Sequence, residues 1–295
     1  MFVDINGKTK LKIGVIILGA LDKAIYQEEK INEKISYLAK EYAAAGYDAI
    51  SVAMPYNYVE ECEIEGIKIL PSCLYTFGDT LEEDKRFSVV GIGMTNPQEI
   101  QSEWRNMQRT AHLKAAEVIR LIEKYNGFSI LVLPKNSTLE DEQIEKLASA
   151  DMIDVIGMSD KNYSLFAQNE KYPSVTICNR SVPRAAILVE SLNFENVSIV
   201  RAIKAGKFYS STGPELCVEQ VASDKIKVNC TVASKISFYS SSTAPAVEVL
   251  DNNSYIEADY TVKENDKFVM VSIFDNEKNF AIGSTCITER WYENK

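Results

Sequence analysis

Residues Ile13–Ala20 read IGVIILGA, Glu28–Ala45 read EEKINEKISYLAKEYAAA, and Ala49–Ala53 read AISVA. The first and third stretches are short, rich in β-branched residues and nearly continuous in hydrophobicity. That pattern suits strands covered on both faces. The second places Ile31, Ile35, Leu38 and Tyr42 on one stripe at helical spacing, and Gly46 stops it. Strand, amphipathic helix, strand is the repeating unit of an α/β fold with parallel strands. Ile13–Ala20 is far short of the roughly 20 residues that a membrane span needs, so it reads as a buried strand.

The same alternation extends outward in both directions. Lys12–Leu18, Ala49–Ala53, Ile67–Leu70, Phe87–Ile92, Ser129–Leu133, Val155–Met158 and Ser174–Cys178 are strand candidates. Pro97–Tyr125 reads as one long helical stretch whose late face carries Ala115, Val118, Ile119 and Ile122, with Gly127 just beyond it. Ser137–Ala150 opens on a candidate N-cap, Ser137 or Thr138, with acidic residues in its first turn. Phe194–Ala205 ends at Gly206.

After about residue 213 the texture changes. Leu216–Val221, Lys225–Val232, Lys235–Tyr239, Ala246–Leu250, Ser254–Thr261, Phe268–Phe274 and Ala281–Thr288 read as strands separated by turn residues, with no helix required. The expected organisation is therefore a β/α domain over residues 1–212 and a small antiparallel β-sandwich over residues 213–295.

Composition narrows the functional classes. The 295-residue chain has a net charge of -10, a poor match for a phosphate backbone. No basic stripe offsets this, so no nucleic-acid partner is expected. The opening MFVDINGKTK lacks a cationic segment followed by an apolar one, so neither a signal peptide nor a membrane anchor is expected. Six scattered cysteines in a core-rich chain are expected to be reduced thiols, which points to the cytoplasm. One histidine, His112, in mid-helix, and no CxxC pair leave no histidine-built or CxxC-built metal site.

Parallel α/β folds place their sites at the carboxyl ends of the strands. The residues there are Gly19–Lys23, Met54–Asn57, Pro71–Leu74, Pro134–Asn136, Ser159–Asn162 and Asn179–Ser181. Lys135, Asn136, Asn179, Arg180 and Arg184, with Tyr56, Asn57 and Asp22, form a candidate rim of amides and cations. Such a rim suits a carboxylate or phosphate without a metal. Cys178 has Arg180 and Arg184 nearby in sequence but no evident base, so it is a poor nucleophile candidate, as is Cys73. The acidic stretches Glu60–Glu65 and Asp79–Asp84 match no calcium loop and read as solvated.

Ala202–Pro214, AIKAGKFYSSTGP, resembles the A-L-K-A-G-R-F-Y-A-S-T-G-P signature of one branch of the PHP family, the polymerase and histidinol phosphatase metallophosphoesterases. Gly46–Ile50 resembles the family's G-Y-D-A-I, Ile67–Pro71 its I-x-I-L-P-G-x-E strand, and Gly127–Pro134 its G-G-x-x-x-x-x-H-P strand. Tyr260 and Val269–Asp275 resemble the β-module that follows in that branch.

The resemblance implies a distorted seven-stranded, TIM-like β/α barrel. It also implies up to three divalent metals held by His, Asp and Glu at strand ends. Against that pattern, the first His-x-His falls on Ile16–Leu18, the T-D-H on Ala53–Pro55 and the P-G-x-E acid on Leu74. The strand-four histidine falls near Phe87 or Ser88, the H-P histidine on Leu133, the I-E-V acid on Ile156 or Gly157, and the last Asp-x-His near Cys178–Ser181. Asp22 alone stands at a matching acid position, followed by Lys23. Apolar side chains do not coordinate such metals.

The expectation is thus a member of this family without its metal centre and without a cofactor. It would act as a non-catalytic binding or scaffold protein for a small anionic or carbohydrate-like ligand. The alternatives are a metal-dependent phosphoesterase of weak or altered activity, and an interaction module working through the C-terminal β-domain.

Overall fold

A computed structural model describes residues 2–18, 28–55, 58–77, 87–108, 115–133, 150–154, 173–180, 182–222, 224–241, 246–249 and 255–287. The fold opens on a short strand, β1 (Phe2–Val3), paired antiparallel with the long β2 (Thr9–Ile17). Helix α1 (Glu28–Ala44) leads to β3 (Ala49–Ala53), which lies parallel to β2. The stripe read from the sequence is the face that packs. Ile35, Leu38 and Tyr42 are buried in one core cluster with Ile50 and Val52. The close approach of α1 to the sheet depends on Gly14, because a Cβ there would stand 2.6 Å from the Tyr42 ring.

The expected parallel progression stops here. Strands β4 (Tyr58–Val59), β5 (Cys62–Ile64), β6 (Ile67–Leu70), β7 (Ser72–Phe77) and β8 (Phe87–Ile92) follow with no helix among their described residues. Strand β5 folds back antiparallel on β6, and β7 pairs antiparallel with both β4 and β8. Pro71, with no N–H to give a ladder, separates β6 in one sheet from β7 in another. Helices α2 (Pro97–Gln108) and α3 (Ala115–Lys124) are described within the stretch read from the sequence as one long helix, whose residues 109–114 lie outside the described residues. Strands β9 (Phe128–Val132), β10 (Met152–Asp154) and β11 (Ser174–Thr176) complete a six-stranded sheet in the order β11-β10-β9-β8-β7-β4.

Strand β12 (Ala186–Val189), missed in the sequence, lies antiparallel to β2. Helix α4 (Asn196–Lys204) follows. It closes with Gly206 at φ +71°, the Gly206 N–H on the Ile203 carbonyl and the Lys207 N–H on the Ala202 carbonyl. This is a left-handed C-terminal cap that favours glycine. The AIKAGK half of the signature is therefore a helix end. Its FYSS half is a strand, β13 (Phe208–Ser211).

Beyond it come β14 (Leu216–Ala222), β15 (Lys225–Ala233), β16 (Lys235–Ser240), β17 (Ala246–Val249), β18 (Tyr255–Thr261), β19 (Phe268–Phe274), β20 (Phe280–Gly283) and β21 (Cys286–Ile287). Strands β14, β15 and β18 form a three-stranded antiparallel sheet. Strands β16, β17, β19 and β20 instead continue the large sheet, in the order β17-β16-β19-β20-β13-β12-β2-β3-β6-β5. One sheet thus crosses the boundary at 212/213 through the β13–β20 pairing, and one core cluster holds Ile16 and Tyr42 together with Val228 and Ile273.

These pairings overturn the expected TIM-like β/α barrel followed by a β-sandwich. The described residues contain twenty-one strands and four helices, and only β2–β3, β3–β6, β9–β10 and β10–β11 are parallel strand pairs. The physical reason is local. Apolar strands covered on both faces look alike whether the covering layer is helix or sheet, and here much of that layer is sheet.

Candidate functional site

At the carboxyl ends of the parallel strands the structure places apolar side chains in the core. Met54 after β3 and Leu133 after β9 are each no more than 2% exposed, and Leu18 after β2 packs against the core, while Leu74, expected at a strand end, lies inside the antiparallel β7 and is equally buried. Among the described residues no group of three or more His, Cys, Asp or Glu side chains is placed to hold a metal ion. The described strand ends therefore do not fit the metal centre that the resemblance implies. Asp22, Tyr56, Asn57, Lys135, Asn136, His112, Ile156 and Gly157 lie outside the described residues.

One carboxylate at a strand end escaped the sequence reading. Asp154 is the last residue of β10 and fully buried. Its Oδ1 accepts the Cys178 N–H at 3.1 Å. Burial, then the Asp154 charge, push the Cys178 thiol well above its ordinary pKa, and Arg180 only partly opposes them. Cys178 is thus a protonated core thiol at neutral pH, not a nucleophile. The signal for Asp154 was present in Ile153-Asp154-Val155, an acid between two β-branched residues just before the segment taken as the strand.

The three described members of the candidate rim separate in role. Arg180 is exposed, whereas Asn179 is buried. The Asn179 main chain closes on β2, its N–H donating to the Val15 carbonyl at 2.6 Å and its carbonyl accepting from Ile17 N–H at 2.9 Å. Its side-chain Oδ1 accepts from the Arg184 and Ala185 amides at 3.1 and 2.9 Å, and its Nδ2 donates to the Ala185 carbonyl at 2.7 Å. Asn179 therefore shapes the loop that carries Arg184 instead of facing a ligand.

Arg184 borders a cleft of about 520 Å³ shared with Lys12, Tyr47, Tyr209, Thr212 and Glu215. The cleft sits over β2, β12 and β13, where Lys12, Leu188 and Tyr209 occupy one cross-strand row. This is the amino end of β3, opposite to the strand ends where the sequence placed the site. The Lys12 ammonium donates to the Ala45 carbonyl at 3.0 Å and lies 4.2 Å from the Tyr47 ring centroid. Burial lowers its pKa, partly offset by Asp48. Burial also raises the Tyr47 hydroxyl to about 12, so it stays a neutral donor, and it bonds the Ala185 carbonyl at 2.9 Å. Glu215 is engaged by the Ile5 N–H at 2.7 Å.

Among the described residues neither Lys12 nor Arg184 forms an ion pair. Two cations outside any ion pair, beside aromatic walls, can hold a small anion through charge-assisted hydrogen bonds. Sequence reading reached Arg184 but missed Lys12, Tyr47 and Tyr209. The available clue was a lysine opening an otherwise apolar strand, KIGVIIL.

No protein-family model matches the chain, and no curated protein matches it. No helix among the described residues is long and apolar enough to cross a membrane.

Proposed function

We propose that this chain is a non-catalytic binding protein for a small anionic ligand, held in the cleft between Lys12 and Arg184. The observation that carries the reading is the convergence of these two cations, neither in an ion pair among the described residues, on a cleft of about 520 Å³ walled by Tyr47 and Tyr209. A phosphate or carboxylate offers charged acceptors to both side chains, and the aromatic walls suit a sugar-like body.

The proposal includes descent from PHP-type metallophosphoesterases with the metal ligands replaced. Its support is the set of sequence motifs together with the burial of Met54 and Leu133 at strand ends and of Leu74 within β7.

Titration calorimetry with inorganic phosphate, a hexose phosphate and the free hexose tests the reading. Binding of the phosphates, weakened about tenfold by Arg184→Ala and by Lys12→Met, is the expected result. Equal affinity in both variants, or no binding of any anion, refutes the site. Stoichiometric, tightly held Mn, Zn or Fe in the purified protein would refute the loss of the metal centre.

A hydrolytic second reading draws support from Asp154, a buried carboxylate at a strand end. Phosphoester turnover that is abolished by Asp154→Asn would favour it over pure binding.

A further inference from the structure

The cleft over β2, β12 and β13 holds a third charged side chain that a plain anion does not explain. Glu215 lines it together with Lys12 and Arg184. Its Oε2 accepts the Ile5 N–H at 2.7 Å, and among the described residues it forms no ion pair with either cation. A carboxylate in the same cleft as a bound phosphate or carboxylate opposes binding through like-charge repulsion. It becomes favourable once the ligand brings a positive charge of its own.

The opposite charges sit at different ends of the cleft. Tyr47 marks the positive end. The Lys12 ammonium lies 4.2 Å from its ring centroid, and its hydroxyl bonds the carbonyl of Ala185, the residue after Arg184. Tyr209 marks the negative end. Burial, and after it the neighbouring Glu215 charge, raise the pKa of the Tyr209 hydroxyl. Between the ends lies Leu188, the cross-strand neighbour of both Lys12 and Tyr209 and part of the cleft lining. Two strand spacings put the main chains of Lys12 and Tyr209 about 10 Å apart. The Lys12 side chain also turns away from that row, towards the Ala45 carbonyl.

We propose that the ligand of this cleft is a zwitterion whose acid and amine are joined by an apolar spacer, as in an ω-amino acid. The acid sits at Lys12 and Arg184, the spacer crosses Leu188, and the ammonium meets the Glu215 carboxylate. An α-amino acid carries both charges on one carbon and does not span the row. The inference rests on the anion-cleft reading and adds a second charge to its ligand.

The test is titration calorimetry of the intact chain with 6-aminohexanoate, its isomer norleucine, hexanoate and inorganic phosphate, at constant ionic strength. Binding of 6-aminohexanoate at least fivefold tighter than hexanoate or norleucine is the expected result. Glu215→Gln keeps an acceptor for the Ile5 N–H. It is expected to remove that fivefold advantage while leaving hexanoate and phosphate bound as before. Arg184→Ala is expected to weaken hexanoate and 6-aminohexanoate alike. Hexanoate or norleucine binding as tightly as 6-aminohexanoate overturns the zwitterion, as does an advantage that survives Glu215→Gln, and phosphate binding then leaves the anion cleft standing. Absence of binding by all four probes overturns both readings.

Discussion

The Asn179 side chain brackets Ala185, taking the Ala185 amide on Oδ1 at 2.9 Å and giving its own Nδ2 to the Ala185 carbonyl at 2.7 Å. The same Oδ1 also takes the Arg184 amide. Removing the side chain leaves buried backbone groups unmet. Asn179→Ala is therefore expected to cost about 2–4 kcal/mol in urea unfolding. Anion affinity should fall as well, because the loop that positions Arg184 loses its anchor. Asn179→Ala with unchanged anion affinity would separate the loop from the site.

Gly14 sits where the Tyr42 ring crosses β2. Gly14→Ala drives a methyl to 2.6 Å from that ring and is expected to cost about 1–3 kcal/mol through overpacking. Trimming the ring in a Gly14→Ala/Tyr42→Leu double variant should cost less than the sum of the two single changes. A double-mutant cycle in chemical denaturation measures the coupling, and simple additivity would contradict the contact.

The lowered pKa of Lys12 sets a pH dependence for both stability and binding. Burial disfavours its charged form in the folded state, so its folded pKa lies below the 10.5 of the free side chain. The resulting stability cost is full below the folded pKa and disappears as pH rises toward and past 10.5. Lys12→Met should therefore raise stability near neutral pH while weakening anion binding. In the native protein, phosphate affinity should fall as pH climbs through the lowered Lys12 pKa, before an unperturbed lysine would lose its proton. Calorimetric titrations across the alkaline range read this directly, and a pH profile that Lys12→Met leaves unchanged would exclude Lys12 from the site.

Asp4 and Lys10 form an ion pair at 3.4 Å with side chains only 1% and 7% exposed. Removing Lys10 leaves the buried Asp4 carboxylate with only the Asn6 and Lys8 amides on its Oδ1 and, among the described residues, no cation within the interior. Lys10→Met is expected to cost about 3–5 kcal/mol, and an Asp4→Asn/Lys10→Met double variant distinctly less. Equal losses in the single and double variants, measured by urea unfolding, would show that the pair does not act as a unit.

The sequence by itself determined the apolar pattern of most of the long segments. The stripe on α1 faces the core as read, the Gly206 stop is a helix cap, and most strand positions fall within a residue or two of their expected places. These features depend on neighbours three to five residues apart, so composition and periodicity reach them. What the strands pair with is different. Nothing local in Ile67–Phe77 says that Pro71 divides two sheets, and nothing in Phe208–Ser211 says that it joins β12 to β20. Pairing is set by partners tens of residues away, and the exposed or buried face of a strand does not record whether helix or sheet covers it.

The site follows the same division. The apolar character of Leu74 and Leu133 was visible one residue at a time. Lys12, Tyr209 and Arg184 become a cation-lined cleft only because an antiparallel register puts Leu188 between β2 and β13, and because Asn179 holds the turn that carries Arg184. Only the tertiary structure brings those separated charges within reach of one ligand, since convergence across a sheet is a property of register and not of order along the chain.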